Sequence, residues 1–138
     1  MIELTEEMTT TIGTALADGA PALVASASKA GMPDLAFKGS LMVFDGEHLA
    51  FWERALATTL RNLGENPQVC VLYRNGQTRM AWKFFGVAQL HSDGAIREQI
   101  MSKTVELELS RDPERKGVGV LIRVDRVLQM GQEIMQRE

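Results

Sequence analysis

The pair Asp45-Gly46 constrains the fold of this chain more than any other feature of the sequence. It separates two short apolar runs, Leu41–Phe44 and Leu49–Trp52, as a tight hairpin turn would. Asn75-Gly76 gives the same turn signal after the apolar run Val69–Tyr73. Hairpins join antiparallel strands, whereas parallel strands need long crossover connections. The sequence therefore predicts an antiparallel sheet.

Apolar runs and alternating patterns predict six strands, interrupted by three helices. The segment Met80–His91 alternates for part of its length, and Gly86 in its middle indicates a bulge or a close backbone approach. Thr5 is placed to cap the first helix, which Gly19 and Pro21 would end. We expect a mainly β fold, in which peripheral helices pack on a small closed antiparallel barrel. The predicted strands are Leu23–Ser28, Leu35–Phe44, Leu49–Trp52, Val69–Tyr73, Met80–His91 and Val118–Met130, and the predicted helices cover about 4–16, 57–64 and 94–109.

The bulk properties argue against several classes of function. The chain has 138 residues, the size of one domain, and a net charge of -3 with acidic and basic residues interspersed. That pattern favours neither a nucleic acid nor an anionic membrane as a partner. The first residues include Glu3, Glu6 and Glu7, unlike a signal peptide, and no apolar run approaches the roughly 20 residues of a membrane span. We expect one domain over residues 1–138 and a cytoplasmic protein.

Residues that often carry chemistry are sparse. Cys70 is the only cysteine, and its apolar surroundings predict a buried packing thiol. His48 falls in the predicted hairpin turn, and His91 falls at a strand end where a local hydrogen bond or cap explains it better than catalysis. The nucleotide-binding glycine motifs and the His-Glu-x-x-His zinc motif are absent. We therefore expect no metal site, and expect a cofactor to carry any reaction.

The most specific functional signal is the segment that follows the strand ending near Trp52. Thr58 and Thr59 stand at a predicted helix start, where free N–H groups and the helix dipole attract anions. Arg54 and Arg61 are close enough in sequence to add positive charge. We interpret this corner as a phosphate site; the alternative is an ordinary N-cap of a packing helix.

Three motifs, in this order, resemble one known family. They are Leu41–Gly46, Thr58–Pro67, and Gly86-Val87-Ala88 followed by Asp93-Gly94. Their order and spacing resemble the FMN-binding split β-barrel family, which includes the pyridoxamine 5'-phosphate oxidases and small FMN-binding proteins. The resemblance covers about Leu23 to Val127 and implies a six-stranded antiparallel split β-barrel. It also implies an FMN-dependent oxidoreductase that forms a homodimer with the flavin at the subunit interface.

The resemblance further implies a set of cofactor-binding residues. The flavin ring would lie against the strand at Lys38, Gly39, Ser40 and Leu41, with Phe51, Trp52 and Glu53 beside the ring or the ribityl chain. Thr58 and Thr59 would hold the phosphate, helped by Lys38, Arg54 or Arg61. Trp82 and Lys83 would reach the partner's site, although core packing explains Trp82 equally well. Aromatic surfaces at Phe51-Trp52 and Trp82–Phe85 would form the slot for the ring.

One departure bears on the substrate. True pyridoxamine phosphate oxidases hold their substrate with a basic, His-containing C-terminal signature, and Leu121–Val127 offers no counterpart. That activity is therefore not expected, and the substrate or electron partner stays open. The same fold holds deazaflavin (F420)-dependent reductases and haem-handling proteins, so fold alone does not assign a reaction. A non-enzymatic flavin carrier and a cofactor-free structural dimer also fit these residues.

Overall fold

The computed structural model describes residues Met1–Glu138 and consists of eight strands and four helices. All paired strands are antiparallel, in the order β2-β1-β5-β6-β7-β4-β3, and β8 pairs with β7. The strands are β1 (Ala22–Ala27), β2 (Pro33–Lys38), β3 (Met42–Asp45), β4 (His48–Glu53), β5 (Gln68–Asn75), β6 (Met80–His91), β7 (Val118–Gln129) and β8 (Gln132–Gln136). The helices are α1 (Glu6–Gly13), α2 (Thr58–Glu65), α3 (Gly94–Lys103) and α4 (Glu106–Ser110).

The barrel is split between β2 and β3, the two ends of the strand order, which have no ladder between them. The chain crosses this split directly, through residues 39–41. Ser40 holds this connection against β4, because its hydroxyl accepts a hydrogen bond from the Trp52 N–H at 2.9 Å and donates one to the Trp52 carbonyl at 3.1 Å. The predicted mainly β, split-barrel fold is therefore confirmed, whereas the closed barrel predicted from the strand pattern is wrong, because the sheet stays open between β2 and β3.

The barrel interior is the larger of two apolar cores. Alternate residues of the strands point inward, including the fully buried Phe51, Val71 and Phe84. Helix α1 adds Met8 and Ile12 to this core, and its N-terminus is capped as predicted, since Thr5 Oγ1 accepts the Met8 N–H at 3.1 Å.

The second core lies on the outer face of β3, β4 and β7, under α3. It contains Met42, Ala50, Trp52, Ile100 and Leu121. Trp52 Nε1 donates a 2.9 Å hydrogen bond to Asp112 Oδ2, which fixes the loop before β7 against the indole. A Cβ atom at Gly117 would lie 2.5 Å from the same indole, so only glycine fits there.

The structure has more elements than the sequence predicted, for local reasons. The predicted strand Leu35–Phe44 breaks at residues 39–41, and Gly39 lies so close to Leu16 that a Cβ would approach it to 3.1 Å. The predicted third helix breaks at Thr104, whose backbone is extended. An added strand, β8, follows a turn at Met130-Gly131.

Two smaller predictions need correction. Cys70 is only half-buried, because the outer face of β5 is not covered. His48 begins β4 rather than lying in the turn. None of the helices is both long and apolar enough to span a membrane.

Candidate functional site

The start of α2 carries two threonines and no side-chain cap. Ala57 occupies the N-cap position and has no side-chain atom that accepts a hydrogen bond, so the first N–H groups of the helix are not satisfied by a cap. Thr58 is half-buried and Thr59 is 5% exposed. Arg61 lies beside them, with its Nη2 3.5 Å from Thr58 Oγ1.

These threonines open onto a cleft of about 200 Å³ at the split of the barrel. Strand β2 forms one wall, the end of β4 forms the floor, and the start of α2 closes the third side. The cleft brings together four of the predicted site residues, Lys38, Glu53, Thr58 and Thr59, with Asp34, Ala36, Ala55 and Ala57. The hydroxyl-bearing helix start thus faces a cleft and not the core.

An ion pair spans the floor of the cleft. Lys38 Nζ lies 2.6 Å from Glu53 Oε2, and the Glu53 side chain is only 2% exposed. At this distance the ammonium satisfies Oε2, which is itself shielded from solvent. The other oxygen, Oε1, accepts the Ala55 N–H at 3.1 Å.

Two predicted arginines differ in how free their charges are. Arg54 lies 3.6 Å from the carboxylate of Glu108, a residue that also pairs with Arg111 at 3.2 Å. Arg61 is exposed and makes no ion pair. Of the two arginines, Arg61 is therefore the one that has a charge free to meet a ligand at the helix start.

The predicted aromatic slot is wrong for most of its residues. Phe51 and Trp82 lie in the barrel core, and Trp52 lies in the outer core, each at most 2% exposed. Successive strand residues point to opposite faces, and here both faces of the strand ends are covered. The packing alternative for Trp82 is confirmed, and its Nε1 donates to Gln129 at 2.9 Å. Within the slot, only Phe85 remains half-exposed.

The connection at residues 39–41 offers backbone rather than side-chain atoms. The Ser40 hydroxyl is occupied by the Trp52 backbone, and Leu41 is 4% exposed.

Lys83 is exposed on the outer face of β6, away from the cleft lining. His48 and His91 make local hydrogen bonds to Asp45 and Gln89.

A contiguous apolar surface covers the outer face of β2, β1, β5 and β6. Leu35 and Phe37 on the edge strand are each 67% exposed. The strand register places them beside Ala25 and Leu23, and Cys70 and Phe85 continue the row. Alternation of Leu35, Ala36 and Phe37 was the available signal. We call this surface the outer apolar face; its residues are Leu23, Ala25, Leu35, Phe37, Cys70, Leu72 and Phe85.

Cys70 sits within this face. Burial raises the pKa of its thiol, and the nearby Lys83 ammonium offsets part of that rise. A thiol with a raised pKa is mostly protonated at neutral pH and is a poor nucleophile. Cys70 therefore acts here as an apolar surface residue.

Known proteins are similar to this chain in sequence or in structure. The uncharacterized protein MJ0282 of Methanocaldococcus jannaschii is 27% identical over 123 residues, which cover 88% of this chain and 77% of that protein. The crystal structure of HupZ from Group A Streptococcus superposes with a TM-score of 0.73 at 22% identity and covers 94% of this chain and 96% of HupZ. An FMN-binding protein from Syntrophomonas wolfei superposes with a TM-score of 0.72 at 10% identity and covers 90% and 84% of the two chains.

The structural similarities are at low identity and establish the fold alone. A stronger finding comes from the sequence profile of the family described as "Pyridoxamine 5'-phosphate oxidase", which matches residues 3–130, nearly the whole chain. With the split barrel and its cleft at the start of α2, this match shows that the chain belongs to the pyridoxamine 5'-phosphate oxidase family.

Proposed function

We propose that this chain is an FMN-binding flavoprotein that works as a homodimeric oxidoreductase on a small substrate or an electron partner. The observation that carries the proposal is the uncapped start of α2, where Thr58 and Thr59 open onto the cleft at the split. Family membership and the similarity to an FMN-binding protein support it.

The donors at this corner fit a phosphate. The first N–H groups of α2 lack a side-chain acceptor, and the positive end of the helix dipole lies among them. Two hydroxyls and the unpaired guanidinium of Arg61 add donors at the same place. A bound flavin would supply hydride or electron transfer, which no side chain here provides.

The outer apolar face suits a second copy of the chain. Strand β2 serves two surfaces at once: Asp34, Ala36 and Lys38 line the cleft, while Leu35 and Phe37 face outward. A dimer formed through this face would place the partner across the edge strand β2 from the cleft, and the partner would reach the cleft around the free edge of that strand. Since Phe51, Trp52 and Trp82 are buried, the apolar wall for a flavin ring would come from this interface.

Binding assays test the cofactor assignment. Equilibrium dialysis against FMN, coenzyme F420 and haem should show binding of FMN in preference to the other two. The double variant Thr58→Ala/Thr59→Ala should weaken FMN binding by a few kcal/mol at most, since a hydrogen bond to a charged group contributes about 1.5–3 kcal/mol. The affinity for riboflavin, which lacks the phosphate, should fall much less in the same variant.

A matched control is available in α1. Thr9 and Thr10 are both exposed, so Thr9→Ala/Thr10→Ala removes two hydroxyls far from the cleft and should leave FMN binding unchanged. Equal FMN affinity in the wild type and the Thr58/Thr59 variant would remove the phosphate assignment. Preferential binding of F420 or haem would mean that this ligand, and not FMN, is the cofactor.

Turnover separates an enzyme from a carrier. The FMN-loaded protein should oxidise NADH or NADPH, or exchange electrons with a protein partner, if it is an oxidoreductase. Flavin binding without turnover with any donor would favour the carrier. The segment Leu121–Val127 lacks the basic signature for a substrate phosphate, so pyridoxamine phosphate should not be oxidised.

A further inference from the structure

A carboxylate lies on the floor of the cleft, although a bound anion would need hydrogen-bond donors there. Glu53 is 2% exposed, and its Oε1 accepts the Ala55 N–H at 3.1 Å, shortly before the start of α2. Its Oε2 lies 2.6 Å from the Lys38 ammonium, its partner in a largely buried ion pair. The ion pair therefore satisfies this oxygen within the protein, and the positive charge of Lys38 is committed to Glu53.

The side chains that line the cleft supply no free positive charge. Lys38 is the only basic residue in the lining, and Glu53 neutralises it. Asp34 adds a second carboxylate at the wall. Arg54 is held by Glu108, which leaves the α2 start and Arg61 as the free donors. The cation best placed on the floor of the cleft is therefore already occupied.

We propose that Glu53 sets the preference of the cleft between phosphorylated and unphosphorylated forms of one ligand by holding the charge of Lys38. This inference rests on the proposed flavin-binding function and concerns the same cleft. Glu53 competes with the ligand phosphate for Lys38, so the pair limits the gain in affinity that the phosphate gives. The ligand phosphate is then held mainly by the helix start.

A purely structural role predicts a different result. Lys38 ends β2 and Glu53 ends β4, on opposite sides of the split, so their ion pair also joins the two halves of the barrel. Loss of this ion pair would then change the shape of the cleft, and it would weaken the binding of FMN and of riboflavin alike. A charge effect acts on the phosphate and therefore changes the ratio of the two affinities.

The test compares FMN and riboflavin affinities, measured by flavin fluorescence, in four proteins. Glu53→Gln frees Lys38 and should raise the preference for FMN about tenfold or more, because one charge a few ångströms from a phosphate contributes at least about 1.4 kcal/mol. Lys38→Met leaves Glu53 unpaired and should lower the preference by a similar factor. The double variant Lys38→Met/Glu53→Gln should return it close to the wild-type value.

The dependence of the FMN preference on ionic strength gives a second test. The added preference of Glu53→Gln should shrink as ionic strength rises, because ions screen the freed charge. Should Glu53→Gln fail to fold, the wild type, Lys38→Met and the double variant still decide the sign of the effect. Circular dichroism establishes which variants are folded.

The outcomes separate this inference from the proposed function. A wild-type protein that binds FMN, with one affinity ratio in all folded variants, would overturn the role of Glu53 and leave the flavin assignment intact. A ratio that falls in Glu53→Gln would also overturn it, since the carboxylate would then help to hold the ligand. A wild-type protein that binds neither flavin would overturn both proposals.

Discussion

Two side-chain oxygens are shielded from solvent without a conventional hydrogen bond, and only one of them has a charged partner. Glu53 Oε2 lies 2.6 Å from the Lys38 ammonium, which neutralises it. The Tyr73 hydroxyl lies in the barrel core, with its ring 5.6 Å from that of Trp82. Lys38 satisfies the first oxygen, whereas the second is a cost of packing a tyrosine in the core.

Replacing Tyr73 tests that distinction. Tyr73→Phe removes a buried hydroxyl that has no partner, so the free energy of unfolding should stay equal or rise by about 1 kcal/mol. Trp82→Phe is the control, because it removes the hydrogen bond to Gln129 and should destabilise. Urea unfolding measures both. A loss of more than about 1 kcal/mol in Tyr73→Phe would show that the hydroxyl has a partner after all.

Asp112 should make the free energy of unfolding depend on pH. Burial alone would raise its pKa, but hydrogen bonds from the Lys116 N–H, the Trp52 indole and the Gly117 N–H, with the charge of Arg115, bring the pKa below the ordinary value of 3.8. A carboxyl with a lowered folded-state pKa stabilises above its unfolded pKa, and that contribution is lost as pH falls through the folded value.

Unfolding at a series of pH values measures this contribution. The free energy of unfolding of the wild type should fall between about pH 5 and pH 2, and Asp112→Asn should be less stable at neutral pH with a shallower fall. Parallel curves for the two proteins would mean that Asp112 does not couple folding to protons.

Among the elements, β6 is the one on which the sheet most depends, because it pairs with both β5 and β7 along its length. Its register against β7 shifts between Phe85 and Gly86, as the glycine in the sequence predicted. A Cβ at Gly86 would collide with the carbonyl of Arg123 and lie 2.8 Å from Ile122. The bulge is therefore a close approach of two backbones.

Gly86→Ala should cost about 1–3 kcal/mol or more of stability, because the β6–β7 ladder must open to admit a methyl group. Gly13→Ala is the matched control: no atom lies within 4 Å of its added Cβ, and alanine favours a helix. That variant should be neutral or slightly more stable. Thermal unfolding of both proteins measures the difference, and equal melting temperatures would contradict the close approach.

At the scale of the whole molecule, we predict a dimer built on the outer apolar face. Leu35→Asp and Phe37→Asp place charges on exposed positions, so the monomer should still fold while association is lost. Leu107→Asp on α4 is the control, an equally apolar residue 53% exposed elsewhere. Light scattering measures the mass. A monomeric wild type, or dimers in both β2 variants, would contradict this interface.

The sequence predicted most of the fold and only part of the site, for physical reasons. Turn chemistry and alternation are local, so the Asp45-Gly46 hairpin, the Gly86 bulge and the start of α2 were all predictable. The division of the segment Leu35–Phe44 was not, because contacts of Gly39 with Leu16 depend on the assembled fold. The Lys38–Glu53 pair likewise joins residues from opposite sides of the split, and no local pattern reveals it.

The side-chain directions at the strand ends were the main error. Aromatic residues at Phe51-Trp52 looked like a ligand wall, but an alternating strand covered on both faces buries both. The outer core under α3 is a tertiary feature, so the sequence of β4 alone does not disclose it.

Backbone amide chemical shifts test the central claim most directly, because they report on the α2 start itself. Addition of FMN should shift the amide signals of Thr58 and Thr59 strongly, and riboflavin at the same saturation should shift them far less. The capped start of α1, at Glu6 and Glu7, should stay unchanged with both ligands. Strong shifts elsewhere with no change at Thr58 and Thr59 would contradict a phosphate held at this helix start.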